Sequence, residues 1–189
     1  MVATRREVYT YADLERLPDN VVGELIHGML YASPRPADPH TVASTVLGEE
    51  LGPPFRKGRG GPGGWVFFDE PELHFGSDVL VPDLAGGRIE RAPARGVPFY
   101  ETAPDWVCEV LSPSTSRLDR TVKRDVYARE RVPFVWFIDP VEQVLEVHEL
   151  RGESYSVVQS AGGDALIRAR PFEAIELDLV LLWTGRPRE

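Results

Sequence analysis

Cysteine is almost missing: Cys108 is the only one in 189 residues. No intramolecular disulfide can form, so the chain is expected to rely on its core and to sit in a reducing cytoplasm. No run of about 20 apolar residues exists, which argues against a membrane-spanning helix. The opening Met1-Val2-Ala3-Thr4-Arg5-Arg6-Glu7 lacks the apolar stretch of a secretion signal. Positive charge is also short. A formal net charge of −9 disfavours a protein that coats nucleic acid, because phosphate neutralisation needs clustered Lys and Arg. It leaves room for a carboxylate site that turns cationic once it holds a metal ion. Lysine is scarcest of all. Of 21 basic residues only Lys57 and Lys123 are lysines, and an ammonium is chemically distinct from the guanidinium used elsewhere.

Other signatures are missing as well. His27, His40, His74 and His148 show no zinc-ligand spacing. The glycine-rich stretch 58–64 is not followed by Gly-Lys-Ser/Thr, so it is no phosphate-binding loop. Ser112 lacks the flanking glycines of a nucleophile elbow.

What is present reads as one α/β domain spanning 1–189. A short helix is expected over 10–17, with Thr10 and Asp13 in capping-box register. Residues 21–26 and 29–32 read as a hairpin turning at His27-Gly28, and 34–39 as a loop. The spacing of Val42, Val46, Leu47 and Leu51 predicts a helix over 41–51, opened by His40. Residues 52–64, rich in Gly and Pro and carrying Arg56, Lys57 and Arg59, read as an exposed mobile loop. Strands are expected at 65–68, 72–75 and 79–84, followed by a loop with Pro93 and Pro98.

The run 106–111 suits a central strand buried on both faces. Leu118, Val122 and Val126 predict a helix from Ser116 to about Arg131, with Ser116 and Asp119 as a second capping box. A strand at 134–138 completes a βαβ-like unit. A hairpin over 144–150 and 154–159, then one or two strands and a short element near Trp183, end the chain.

Two acids interrupt apolar strands. Asp83 closes Val79-Leu80-Val81-Pro82, and Glu109 stands inside Trp106-Val107-Cys108-Glu109-Val110-Leu111. A carboxylate there is unfavourable unless it is paired or binds a metal. Two on neighbouring strands would suit Mg²⁺, which takes one or two protein carboxylates and completes its shell with water and phosphate. The alternative is that each is satisfied by arginine or backbone. Cys108, next to Glu109, points to the opposite sheet face as a small core residue. Lys123 follows the Glu109 strand on the next helix and shares a face with Tyr127. It can return to Glu109, or remain solvated and pair with Asp119.

These residues resemble the Uma family of restriction-endonuclease-like proteins. The resemblance is carried by Val81-Pro82-Asp83-Leu84, Pro104-Asp105-Trp106 and Glu109-Val110-Leu111-Ser112-Pro113-Ser114. It continues through Lys123, Tyr127 and Val135-Trp136-Phe137-Ile138-Asp139-Pro140. Tyr9-Thr10-Tyr11-Ala12-Asp13-Leu14, Gly23-Glu24-Leu25-Ile26-His27-Gly28 and Pro39-His40 extend it over about 9–182.

The family is placed in the PD-(D/E)XK nuclease superfamily. The resemblance implies a central mixed β-sheet flanked by helices with β-hairpin additions. It also implies Asp83 and Glu109 as ligands of Mg²⁺, with Mn²⁺ as a substitute. The lysine usually found two residues after the second acid is replaced here by Leu111, and the resemblance implies that Lys123 takes its place. Glu24 resembles the N-terminal acid of such sites, with a hairpin salt bridge as its alternative role.

The function implied is metal-dependent hydrolysis of DNA phosphodiester bonds, with Tyr127 orienting Lys123. Analogy with enzymes that cut two strands adds a homodimer. A catalytically inactive interaction module and a phosphodiesterase of smaller substrates are the competing readings.

Overall fold

The computed structural model describes residues 8–35, 37–92 and 96–186. The sequence expectations for residues 1–7, Pro36 and Pro93 lie outside them.

The large sheet has six strands in the order β10-β9-β8-β7-β6-β3. They are β3 (Trp65–Asp69), β6 (Leu84–Arg88), β7 (Trp106–Val110), β8 (Phe134–Asp139), β9 (Val144–Arg151) and β10 (Ser154–Gly162). Among the described strands of this sheet only β7 and β8 run parallel, which requires the helical crossover between them. A second sheet, β2-β1-β5-β4, contains β1 (Val21–Ile26), β2 (Met29–Pro34), β4 (Leu73–Phe75) and β5 (Asp78–Leu80). β11 (Leu166–Ile167) and β12 (Leu177–Asp178) form a small ladder. The mixed α/β architecture is the expected one.

The alternation of side chains along β7 and β8 divides the core. Trp106, Cys108, Val110, Trp136 and Ile138 face one side, with Ala43, Leu47 and Leu51 of α2 (His40–Leu51) and Leu179 and Leu182 of α5 (Leu179–Thr184). Val107, Leu111, Val135 and Phe137 face the other, with Val126 and Tyr127 of α4 (Arg124–Arg129). Glu109 shares the parity of Val107 and Leu111. It therefore points toward α4, while Cys108 lies buried on the opposite side as expected.

Four local expectations are corrected. Residues 79–84 are not one strand. β5 ends at Leu80, and Val81-Pro82-Asp83 carries the chain from the small sheet into β6 of the large one. Pro82 has no N–H for a ladder, and the Val81 N–H donates to Glu24 Oε1 at 2.8 Å. The first helix, α1 (Tyr11–Leu14), is shorter than expected, although its capping box is present. Asp13 Oδ2 accepts from the Thr10 amide at 2.9 Å and the Thr10 hydroxyl at 2.8 Å.

The expected loop 52–64 begins as a wide π-helical turn, Gly52–Arg56, with Pro54 and Phe55 buried and Phe55 packed on Phe172. The exposed run starts only at Arg56. Finally, the helix after β7 is not regular. It runs as α3 (Ser116–Leu118), a π-helical turn (Asp119–Lys123) and α4. Its N-cap is Thr115, so no Ser116–Asp119 capping box forms; Asp119 is buried instead.

Candidate active site

The break at Pro82, the centre of β7 and the irregular helix meet in one place. Leu84 pairs with Cys108 across β6 and β7, so Asp83 lies one step before that pair, beside Glu109. Asp83 Oδ2 accepts the Val110 amide at 2.7 Å, and Oδ1 lies 3.1 Å from His40 Nε2.

Glu109 is only 2% exposed. Its two oxygens each lie 2.9 Å from Lys123 Nζ, and Oε1 also accepts the Tyr127 hydroxyl at 2.5 Å. Lys123, 3% exposed, further contacts Glu24 Oε1 at 2.9 Å, the Val81 carbonyl at 3.3 Å and Asp119 Oδ1 at 3.5 Å. The expected alternative pair of Lys123 with Asp119 is present but buried rather than solvated, and among the described residues no hairpin salt bridge of Glu24 is found.

Asp119, Lys123 and Tyr127 recur every fourth residue. In a regular helix each such step drifts roughly 40°. The wide turn Asp119–Lys123 reduces that drift and keeps the three on one side. π-Bulges of this kind are frequent at functional sites.

Glu24, Asp83, Glu109, Asp119, Lys123 and His40 all line one cleft of about 290 Å³. Its walls also carry Leu111, where the usual lysine would stand, and Ser112, Ser114 and Thr115. Sequence reading missed His40 and Asp119 as members. For Asp119 the four-residue spacing to Lys123 and Tyr127 was the available signal. For His40 no sequence spacing pointed to Asp83.

The electrostatics follow from four acids sharing few cations. Burial raises the Glu109 pKa well above the usual glutamate value; Lys123 opposes this, and Asp119, Asp83 and Glu24 reinforce it. Burial likewise raises Asp119 against the pull of Lys123. For Lys123, burial favours the neutral amine, but Glu109, Glu24, Tyr127 and Asp119 together hold its pKa well above the ordinary lysine value. Tyr127 is pushed up by burial and by Glu109, so it stays a phenol and donates. Burial lowers His40, yet the neighbouring Asp83 carboxylate outweighs it and its pKa rises.

A divalent cation fits this donor set. Asp83 and Glu109 offer hard oxygens, no thiolate faces the cleft, and the site carries more negative than positive groups. Among the described residues no three His, Cys, Asp or Glu side chains gather as a ready cage. The fit is to an ion held by two carboxylates and completed by water or phosphate.

Tyr127→Phe removes the hydroxyl that anchors Glu109. It is expected to lower stability by about 1.5–3 kcal/mol, the range for hydrogen bonds to charged groups, in urea unfolding. An unchanged midpoint would mean that the bond to Glu109 contributes nothing to the fold.

Over residues 9–180 the chain matches the model of the Uma2 family, described as "Putative restriction endonuclease". The chain belongs to the Uma2 family. Among solved structures, a putative nuclease of DUF820 from Anabaena variabilis has a TM-score of 0.71. It is 24% identical, and the match covers 93% of this chain and 97% of that one. At that identity the likeness is one of fold. No curated protein matches the chain. Among the described residues, no helix of this Uma2 member is long and apolar enough to cross a membrane.

Proposed function

We propose that this Uma2 member is a divalent-cation-dependent nuclease that hydrolyses phosphodiester bonds in DNA. The observation that carries the reading is the meeting of Asp83, Glu109 and Lys123 in one cleft, with the ammonium 2.9 Å from both Glu109 oxygens. Asp83 and Glu109 are the carboxylates that would hold Mg²⁺ or Mn²⁺. The ion would polarise the scissile phosphate and acidify a water. Lys123 supplies a fixed positive charge where phosphate oxygens gain negative charge. Glu24 and Asp119 flank that ammonium, and Tyr127, expected to orient Lys123, donates instead to the Glu109 carboxylate that Lys123 contacts.

The test is plasmid nicking with Mg²⁺ or Mn²⁺, comparing wild type with Glu109→Gln. Metal-dependent nicking that the substitution removes supports the reading. Direct linearisation would add paired copies acting on both strands. No cleavage of any nucleic acid with any divalent ion would instead favour an interaction module. Cleavage confined to small phosphodiesters would move the substrate class.

A further inference from the structure

Asp83 is gripped from two sides by groups that the nuclease reading leaves without a role. The Val110 amide, from β7, donates to Oδ2 at 2.7 Å. His40, the first residue of α2, places Nε2 3.1 Å from Oδ1. Both side chains are mostly withdrawn from water, at 12% and 17% exposure. The helix behind His40 is fixed by the burial of Ala43, Leu47 and Leu51 in the core, so the ring is presented to the carboxylate from an anchored backbone.

We infer that His40 is a positioning residue for Asp83. Its Nε2–H holds the carboxylate in one rotamer, so that the remaining lone pairs of Asp83 face the cleft before any cation arrives. The consequence for cation binding rests on the proposed nuclease reading; the clamp itself belongs to the metal-free protein. Pro82 and the start of β6 fix the Asp83 backbone, so its side-chain torsions are the freedom left. With the Val110 amide alone, the carboxylate can turn about that single bond. A ligand that must be ordered on binding gives up affinity, and partners behind metal ligands typically account for 10–100-fold in affinity or activity.

The position of the donor gives the test. Gln carries its amide NH₂ at about the reach of Nε2, and Asn at about the reach of Nδ1. His40→Ala and His40→Asn are expected to weaken Mn²⁺ binding about 10–100-fold in calorimetric titration without nucleic acid, while His40→Gln stays close to wild type. A role in packing alone would follow side-chain size, leaving Asn and Gln alike.

Equal Mn²⁺ affinity in all four proteins would overturn the inference. So would a loss in His40→Gln as large as in His40→Ala, which would make the imidazole itself a ligand. A second measurement needs no metal. The His40 ring ¹⁵N–¹H signals of the metal-free protein should move in Asp83→Asn, and unmoved signals would overturn the clamp. If wild type takes up no Mn²⁺, the nuclease reading fails, and the ring signals still decide whether His40 holds Asp83.

Discussion

Lys123→Ala is expected to lower the rate of metal-dependent plasmid nicking on the order of a hundredfold or more, the scale on which removal of an electrostatic donor acts. Lys123 is the cation shared by Glu24, Glu109 and Asp119, all buried. Its removal leaves three largely buried acids without that partner. Breaking a buried ion pair costs about 3–5 kcal/mol, so a marked drop in the urea midpoint should accompany the rate loss.

Activity is therefore to be measured at saturating Mn²⁺ and at a temperature where the variant is folded, which separates the two effects. Mn²⁺ affinity should be no weaker than in wild type, since the ammonium is not a ligand and opposes a cation nearby. Lys123→Arg should rescue poorly. A planar guanidinium must enter a space with 3% exposure that is shaped around a compact ammonium. Nicking by Lys123→Ala at the wild-type rate would remove Lys123 from the reaction and leave it a structural counter-ion.

Glu109→Gln should abolish the stabilisation that Mg²⁺ or Mn²⁺ gives to the wild-type protein. An ion that binds only the folded state at a hundredfold excess over its Kd stabilises it by ~2.7 kcal/mol. For a chain of this size that is a rise in Tm of roughly 5–10 °C. A Tm rise of the same size in the variant would place the cation elsewhere.

The same substitution has a pH signature without metal. The folded pKa of Glu109 lies well above its ordinary value because burial outweighs the attraction of Lys123. A group shifted this way favours the fold at low pH, below the unfolded value. That contribution is lost as pH rises through the folded value. Wild-type Tm should thus fall relative to Glu109→Gln as pH climbs from about 4.5, the ordinary glutamate value. His40 and Asp119 are also raised and slope both proteins the same way, so the difference between the two reports Glu109 together with the Lys123 beside it. A difference that stays flat from pH 4.5 to 8 would mean that Glu109 is ionised throughout.

The legible parts of this protein were those set by neighbours in sequence. The apolar run 106–111 predicted a buried strand, and two-residue alternation separated Glu109 from Cys108. The hairpin at His27-Gly28, the capping box of Thr10 and the two strands around the crossover helix were likewise local matters of turn chemistry and periodicity. Asp83, Glu109, Lys123 and Tyr127 could be nominated because each broke a pattern or matched a motif.

Glu24 could be nominated from its motif as well, but the contacts that join these residues could not be found that way. Glu24 meets the Val81 amide across 57 positions, Lys123 meets the Val81 carbonyl across 42, and His40 meets Asp83 from another helix. Such contacts depend on how the two sheets join, and the join is made where Val81-Pro82-Asp83 carries the chain from β5 of one sheet into β6 of the other. Asp119 shows the limit most clearly. Its spacing from Ser116 fitted a helix cap and its spacing from Lys123 fitted a surface pair, and both rules are indifferent to burial. The packing of the wide helical turn against β7 buried Asp119 beside Lys123, because a helix over a central strand has one face that water cannot reach.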